Sequence, residues 1–310
     1  MPSKASRDSE AEVWQVSFQV PAALEEAATE ILVMALGQSA SSYCPLESDQ
    51  AEISAFITQR SAWNLSKSRE IQACLQNGFP DLLEKSSLTF RCRKIKESDW
   101  RESWKSHFKP LEIGKRLLIK PSWSKKQPKK GQKLITLDPG LSFGTGQHAT
   151  TRFCLESLEK LQPLDRRASM LDIGTGSGIL AIAAACLGYQ PIKAFDHDPD
   201  SIMVSRENAD LNQVSSQISF SRCDLTQLKP MVQTKYDLIC ANLTHDLLKA
   251  HASTLLGRLK PGGYLLLAGI LIEQFRAVES VYHAHGCRRI ESRQEKEWQS
   301  ASYRAQGEGS

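Results

Sequence analysis

Hydrophobic and polar positions change rhythm twice along this chain. Residues 13–20 (VWQVSFQV) alternate with a period of two, the pattern of a strand with one covered face. Pro21 then opens PAALEEAATEILVMALG, where apolar residues recur at helical spacing until Gly37 stops the run. Short strands are predicted at 42–46 and 52–57, a helix at 68–78, and a last strand in SLTFRCRKI at 87–95. The order βαββαβ is that of a small α+β ferredoxin-like domain, a sheet backed by two helices.

After Pro139 the strands read SMLDIG, IKAFDHD, YDLICANL and GYLLLAGI, nearly continuous apolar runs separated by helical stretches. Such strands fit a parallel sheet with both faces covered by helices, so a doubly wound, Rossmann-like α/β domain is expected. The stretch between them, 97–123, brings Trp100, Trp104, Trp123 and one strand-like segment. We read the tryptophans as packing between domains. The domains are therefore placed at 1–95 and 96–310.

A chain of 310 residues, 41% hydrophobic and 24% charged, suffices for two such domains. Its net charge of +4 is spread, apart from the run SKKQPKKGQK at 124–133. That run reads first as a solvated loop and second as a phosphate-contacting patch. Eight cysteines never form a CxxC pair, which fits a reduced chain better than a disulfide framework. No two Cys or His residues sit at ligand spacing with a matching second pair, and no metal is expected. The polar start MPSKASRDSEAE lacks a signal peptide's apolar stretch, and no apolar run approaches the ~20 residues that span a bilayer. A cytoplasmic protein without membrane partners is expected.

Candidate chemistry lies in the glycine loops. In MLDIGTGSGILAIAAACLG an apolar strand runs into Gly174, Gly176 and Gly178 and then into an apolar helix. Glycines there let the backbone approach a nucleotide-like ligand, because no Cβ intervenes. A dinucleotide site places its third glycine at 179, where Ile179 stands, which counts against a nicotinamide dehydrogenase. The G-x-G-x-G spacing suits S-adenosylmethionine, which has no pyrophosphate to seat. Asp196 ends the next strand, where an acidic side chain takes ribose hydroxyls. Asp198 reads as the cap of the helix from Pro199. Asp224 reads equally as an adenine-edge contact or a turn residue. Asn242, at the carboxyl end of YDLICAN, is expected to face the reacting methyl group, where its carbonyl can accept a hydrogen bond from an incoming amine. Its plainer role is to cap the next helix. The earlier loop, DPGLSFGTGQHATT at 138–151, reads as a lid over this crevice. Thr150 and Thr151 cap the helix that follows or touch the cofactor, and His148 is a base or a loop anchor.

Both glycine loops, with ANL at 241–243, LKPGGYLLLAGIL at 259–271, DWRESWKSHFKPLEIGKRLLIKPSW at 99–123 and KEWQSASYR near the C-terminus, resemble the ribosomal protein L11 methyltransferase (PrmA-type) family. The resemblance implies a class I methyltransferase domain behind a substrate-recognition domain. It also implies transfer of methyl groups from S-adenosylmethionine to the N-terminal α-amine and lysine ε-amines of a large-subunit ribosomal protein. By motif it carries Thr151, Gly174, Asp196 and Asn242 over as cofactor contacts; Gly176 joins them from the turn, and Asn242 is also the catalytic candidate. Thr244 to Asp246 and the EKEW segment depart from the family's commoner residues. A monomer is expected, with no metal and no direct nucleic-acid requirement; ANLT lacks the Asn/Asp-Pro-Pro-aromatic signature of base amino-methyltransferases. The alternatives are a lysine methyltransferase of another protein and a non-catalytic S-adenosylmethionine-binding protein.

Overall fold

The computed structural model describes residues 13–36, 40–44, 48–80, 83, 88–95, 109–138, 148–161, 168–230 and 232–307. The chain divides into two compact units, Met1–Phe108 and Lys109–Ser310. Trp100, Trp104 and residues 139–147 of the expected lid lie outside the described residues, and Trp123 is half-buried.

In the first unit the elements are β1 (Val13–Pro21), α1 (Glu25–Leu36), β2 (Ala40–Tyr43), β3 (Gln50–Ile57), α2 (Leu65–Gly78) and β4 (Arg91–Ile95). Their sheet order is β2-β3-β1-β4, with every pairing antiparallel. The β1–β3 register sets Val16 opposite Ala55 and Phe18 opposite Ile53. This builds one apolar face, which buries Leu24 and Leu32 from the first helical segment and Ile71 and Leu75 from α2. α2 begins three residues earlier than its periodicity suggests, because the Asn64 side chain accepts the Lys67 N–H and caps it.

The second unit opens with a three-stranded sheet: β5 (Leu111–Ile113), β6 (Leu117–Lys120) and β7 (Lys133–Thr136), with β6 in the centre. After it come α3 (Ala149–Leu161), β8 (Met170–Ile173), α4 (Ile179–Leu187), β9 (Ile192–Asp196), α5 (Pro199–Leu211) and β10 (Ile218–Arg222). The chain continues through β11 (Tyr236–Asn242), α6 (His245–Ala250), α7 (Ala252–Leu256), β12 (Leu259–Leu271), α8 (Ile272–Ala284), β13 (Arg288–Glu295) and β14 (Trp298–Arg304). The large sheet has the order β10-β9-β8-β11-β12-β14-β13. It is parallel through β12, and β14 and β13 are antiparallel.

The continuous apolar strands have a direct cause. Met170, Leu238, Cys240 and Leu266 point to one face, where they meet α3 and α4. Their neighbours Leu171, Ile173, Ile239, Ala241, Leu265 and Leu267 point to the other, towards α6 to α8. Two cores therefore sandwich one sheet, and each fully buried aliphatic side chain contributes roughly 1.5–3 kcal/mol. Strand order reverses between β8 and β11, which opens a crevice beyond their carboxyl ends.

Leu238, 1% exposed in the centre of the sheet, reports on this arrangement. Leu238→Ala is expected to lower unfolding free energy by about 2–5 kcal/mol in urea titration followed by far-UV circular dichroism. A loss below about 0.5 kcal/mol, the range of surface substitutions, would contradict the packing.

Candidate active site

The turn after β8 is shaped by three glycines of positive φ, at +72° for Gly174, +52° for Gly176 and +82° for Gly178. The Gly174 and Thr175 N–H groups both donate to the Phe195 carbonyl, at 3.0 and 3.1 Å. The turn is thereby tied to the end of β9. Gly176 N–H donates to Asp196 Oδ2 at 3.0 Å, and Asp198 N–H to Asp196 Oδ1 at 3.1 Å. The carboxylate, 7% exposed, keeps an accepting lone pair beyond these bonds and the His197 Nδ1 contact at 3.1 Å.

Two glycines serve packing as well as access. A Cβ on Gly174 would lie 2.5 Å from Leu243 Cδ2, and one on Gly178 would lie 2.9 Å from Ser205 Cβ on α5. Across the crevice, Asn242 ends β11 opposite Ala268, and Leu243 N–H donates to the Ala268 carbonyl at 3.1 Å. Gly269, at φ +81°, is where β12 passes closest: a Cβ there would stand 2.6 Å from the Leu243 carbonyl and 3.1 Å from Asn242 Oδ1. The next helix takes Thr244 as its N-cap residue, so capping does not occupy Asn242.

Thr150 and Thr151 are buried in the first turn of α3. His148 Nδ1 lies 2.7 Å from Thr150 Oγ1, and its ring meets Trp298 edge-on at 5.1 Å, an anchoring arrangement. Thr151 Oγ1 is buried with no hydrogen-bond partner among the described residues. A buried hydroxyl so placed costs roughly 1–3 kcal/mol unless something bonds it. The flank of α3 is fixed to β13 by three ion pairs, Arg152–Glu295 at 3.3 Å, Glu156–Arg293 at 2.8 Å and Lys160–Glu291 at 3.0 Å. The spacing matches because four helical residues rise ~6 Å and two strand residues ~6.6 Å.

Asp198 caps α5 through the Asp200 N–H, and Asp224 caps a short turn through Thr226. The structure also brings in a residue that the sequence reasoning passed over. Asp172, fully buried on β8, accepts from Thr175 Oγ1 at 2.7 Å and lies beside Cys154, one turn along α3 from Thr151. Burial pushes its carboxyl up to about 7; the Thr175 hydrogen bond opposes this and the Asp196 charge adds to it. The signal was the lone acid in an apolar strand just before the glycines. A cavity of about 90 Å³ at the other end of the sheet, beside Leu161, Asp237 and Lys260, is separate from this crevice.

A glycine turn, an acid and an amide gathered where a mainly parallel sheet reverses its strand order define a Rossmann-like methyltransferase. The family itself follows from sequence. A profile of the family described as ribosomal protein L11 methyltransferase (PrmA) matches residues 12–306, and the chain belongs to that family. A ribosomal protein L11 methyltransferase of Trichlorobacter lovleyi is 38% identical over 307 residues, covering 94% of this chain and 97% of that one. One from Geobacter metallireducens is 40% identical over 211 residues, 68% of each chain. The crystal structure of a ribosomal protein L11 methylase from Lactobacillus delbrueckii subsp. bulgaricus superposes with a TM-score of 0.58 at 30% identity, covering 64% of this chain and all of that one. This chain is thus an S-adenosylmethionine-dependent protein methyltransferase. Among the described residues, no helix is long and apolar enough to cross a membrane.

Asp172 supplies a pH test. The folded chain holds a proton that the unfolded chain releases near 3.8, so this group lowers stability as pH rises from there to about 7. Asp172→Asn is expected to flatten that decline, by about 1.4 kcal/mol per pH unit at most, in urea titrations at pH 4, 5.5 and 7. Wild-type and variant stability curves that stay parallel would contradict it.

Proposed function

We propose that this enzyme methylates the N-terminal α-amine and lysine ε-amines of ribosomal protein L11, with Asn242 orienting the incoming amine. The observation that carries the role is the position of Asn242, half-buried at the strand reversal across from Gly174, with its Oδ1 against Gly269 and the N-cap position of the next helix taken by Thr244. The name of the family and of its relatives supports the substrate. The first unit, whose element order is ferredoxin-like, serves substrate recognition, with the boundary near residue 95.

When bound, S-adenosylmethionine supplies an electrophilic methyl group on its sulfonium. The residues fit it: the Gly174–Gly178 turn admits its backbone-hugging part, Asp196 has an acceptor site for ribose hydroxyls, and Thr151 Oγ1 waits for a partner. Only a neutral amine has a lone pair to give. An α-amine, of pKa ~7.7–8.0, is partly neutral at pH 7, whereas lysine at ~10.4 is almost wholly charged. Desolvation in the closed crevice lowers the lysine value, the Asn242 carbonyl accepts an amine N–H and aims the lone pair, and solvent takes the released proton. Such a displacement requires no metal and no nucleic acid. The enzyme acts as a cytoplasmic monomer.

Intact mass of L11 after incubation with the enzyme and S-adenosylmethionine is expected to show increments of ~14 Da mapping to amines. Asn242→Ala is expected to lower kcat by about 100-fold, with cofactor binding by calorimetry weakened far less. Full turnover by that variant would remove the role of Asn242. Cofactor binding without any mass change on L11 would point to another protein substrate or to binding without catalysis.

A further inference from the structure

The lysine run at 124–133 has no part in the chemistry above, yet it dominates the charge of the molecule. Residues 109–136 hold nine Lys and Arg against one acid, Glu112, while the remaining chain holds 30 Lys and Arg against 34 Asp and Glu. A small sheet thus carries net charge +8, and everything else carries −4.

This segment is ordered. Lys126 and Lys129 each reach a Glu112 carboxylate oxygen at 2.7 Å, which fastens the β6–β7 loop to β5. Hydrogen bonds from those two lysines hold the Glu112 carboxyl down to about 2. A second carboxylate, Glu159 of α3, accepts the Lys115 backbone N–H at 2.9 Å beside the β5–β6 turn. The loop is closed by Gln132 N–H on the Lys129 carbonyl and Lys133 N–H on the Arg116 carbonyl. Lys133 therefore sits beside the β5–β6 turn that carries Lys115. Lys115, Lys125, Lys130 and Lys133 are exposed, and none has a carboxylate partner for its ammonium group among the described residues. Together they give this ordered segment an exposed, positively charged surface.

We infer that this face, Lys115 with Lys125, Lys130 and Lys133, binds the phosphodiester backbone of double-helical RNA without sequence preference. Residues 124–133 contain no aromatic side chain on which unpaired bases could stack, so the backbone of a duplex is the better fit. They contain no large apolar side chain to enter a bilayer either. Lysine-bearing substrate segments would be repelled from such a face, which separates it from amine recognition. The choice of RNA over another polyanion rests on the proposed ribosomal substrate.

The test is fluorescence anisotropy of a labelled RNA duplex of ~20 base pairs, titrated with the full chain between 50 and 200 mM KCl. About four phosphate contacts give a slope of log affinity against log salt near −3, a loss on the order of 100-fold over that range. The triple variant K125E, K130E, K133E is expected to weaken binding at least tenfold, while its circular dichroism and its methyl transfer to free L11 stay unchanged. No binding at 50 mM, equal binding by the variant, or binding to phosphatidylserine vesicles or polyglutamate as tight as to RNA would overturn the inference. Because this readout needs no turnover, absence of methyl transfer to L11 would be recognised separately from absence of RNA binding.

Discussion

Everything in the site depends on how closely two neighbouring segments, the turn after β8 and β12 at Gly269, approach Leu243. Its side chain fills the space that a Cβ on Gly174 would take, and its carbonyl lies where a Cβ on Gly269 would collide. Both glycines also sit at positive φ, so at each the backbone and the space make the same demand. With β8 and β12 drawn in on both sides, Asn242 has little freedom, and its amide is presented at the strand reversal. In the role proposed for it, an amide held this way orients an amine without first being ordered, which is what positioning catalysis relies on.

The remaining parts are held by ties to that centre. Asp196 accepts from Gly176 and so joins the glycine turn to β9, and Asp172 beneath it accepts from Thr175. On the other side, α3 delivers Thr151 and is pinned to β13 by its three ion pairs. Each pair is partly exposed and contributes at most about 1 kcal/mol, so their importance lies in fixing the helix rather than in total stability. The two antiparallel strands β13 and β14 thus help to fix α3 in place. His148 against Trp298 makes the same connection at the start of the helix.

Much of this was legible because the physical cause is local. Apolar strands covered on both faces announce the α/β core, and Asp198 followed by Pro199 announces a capped helix, which is what forms. Asn242 could be singled out because the ends of parallel strands line the crevice. Contacts between distant residues left little trace. β5, β6 and β7 are three or four residues long and separated by a lysine-rich loop, too short for a period to show. The expected strand at 42–46 forms instead at Ala40–Tyr43, where pairing with β3 overrides the weak local preference. β13, RRIESRQE, is mostly polar: it is the edge strand of the sheet, and Glu291, Arg293 and Glu295 pair with α3. That Gly178 makes room for Ser205 cannot be read from spacing at all, and neither can the placing of Thr244 rather than Asn242 at the N-cap position.

The most direct measurement is a crystal structure with S-adenosylhomocysteine bound. The predicted result is an adenosine along the Gly174–Gly178 turn, its ribose hydroxyls on Asp196, Thr151 Oγ1 bonded to its amino-acid part, and its sulfur facing Asn242. A ligand bound elsewhere, or one in the crevice with Asn242 turned away from the sulfur, would contradict the role assigned to the strand reversal.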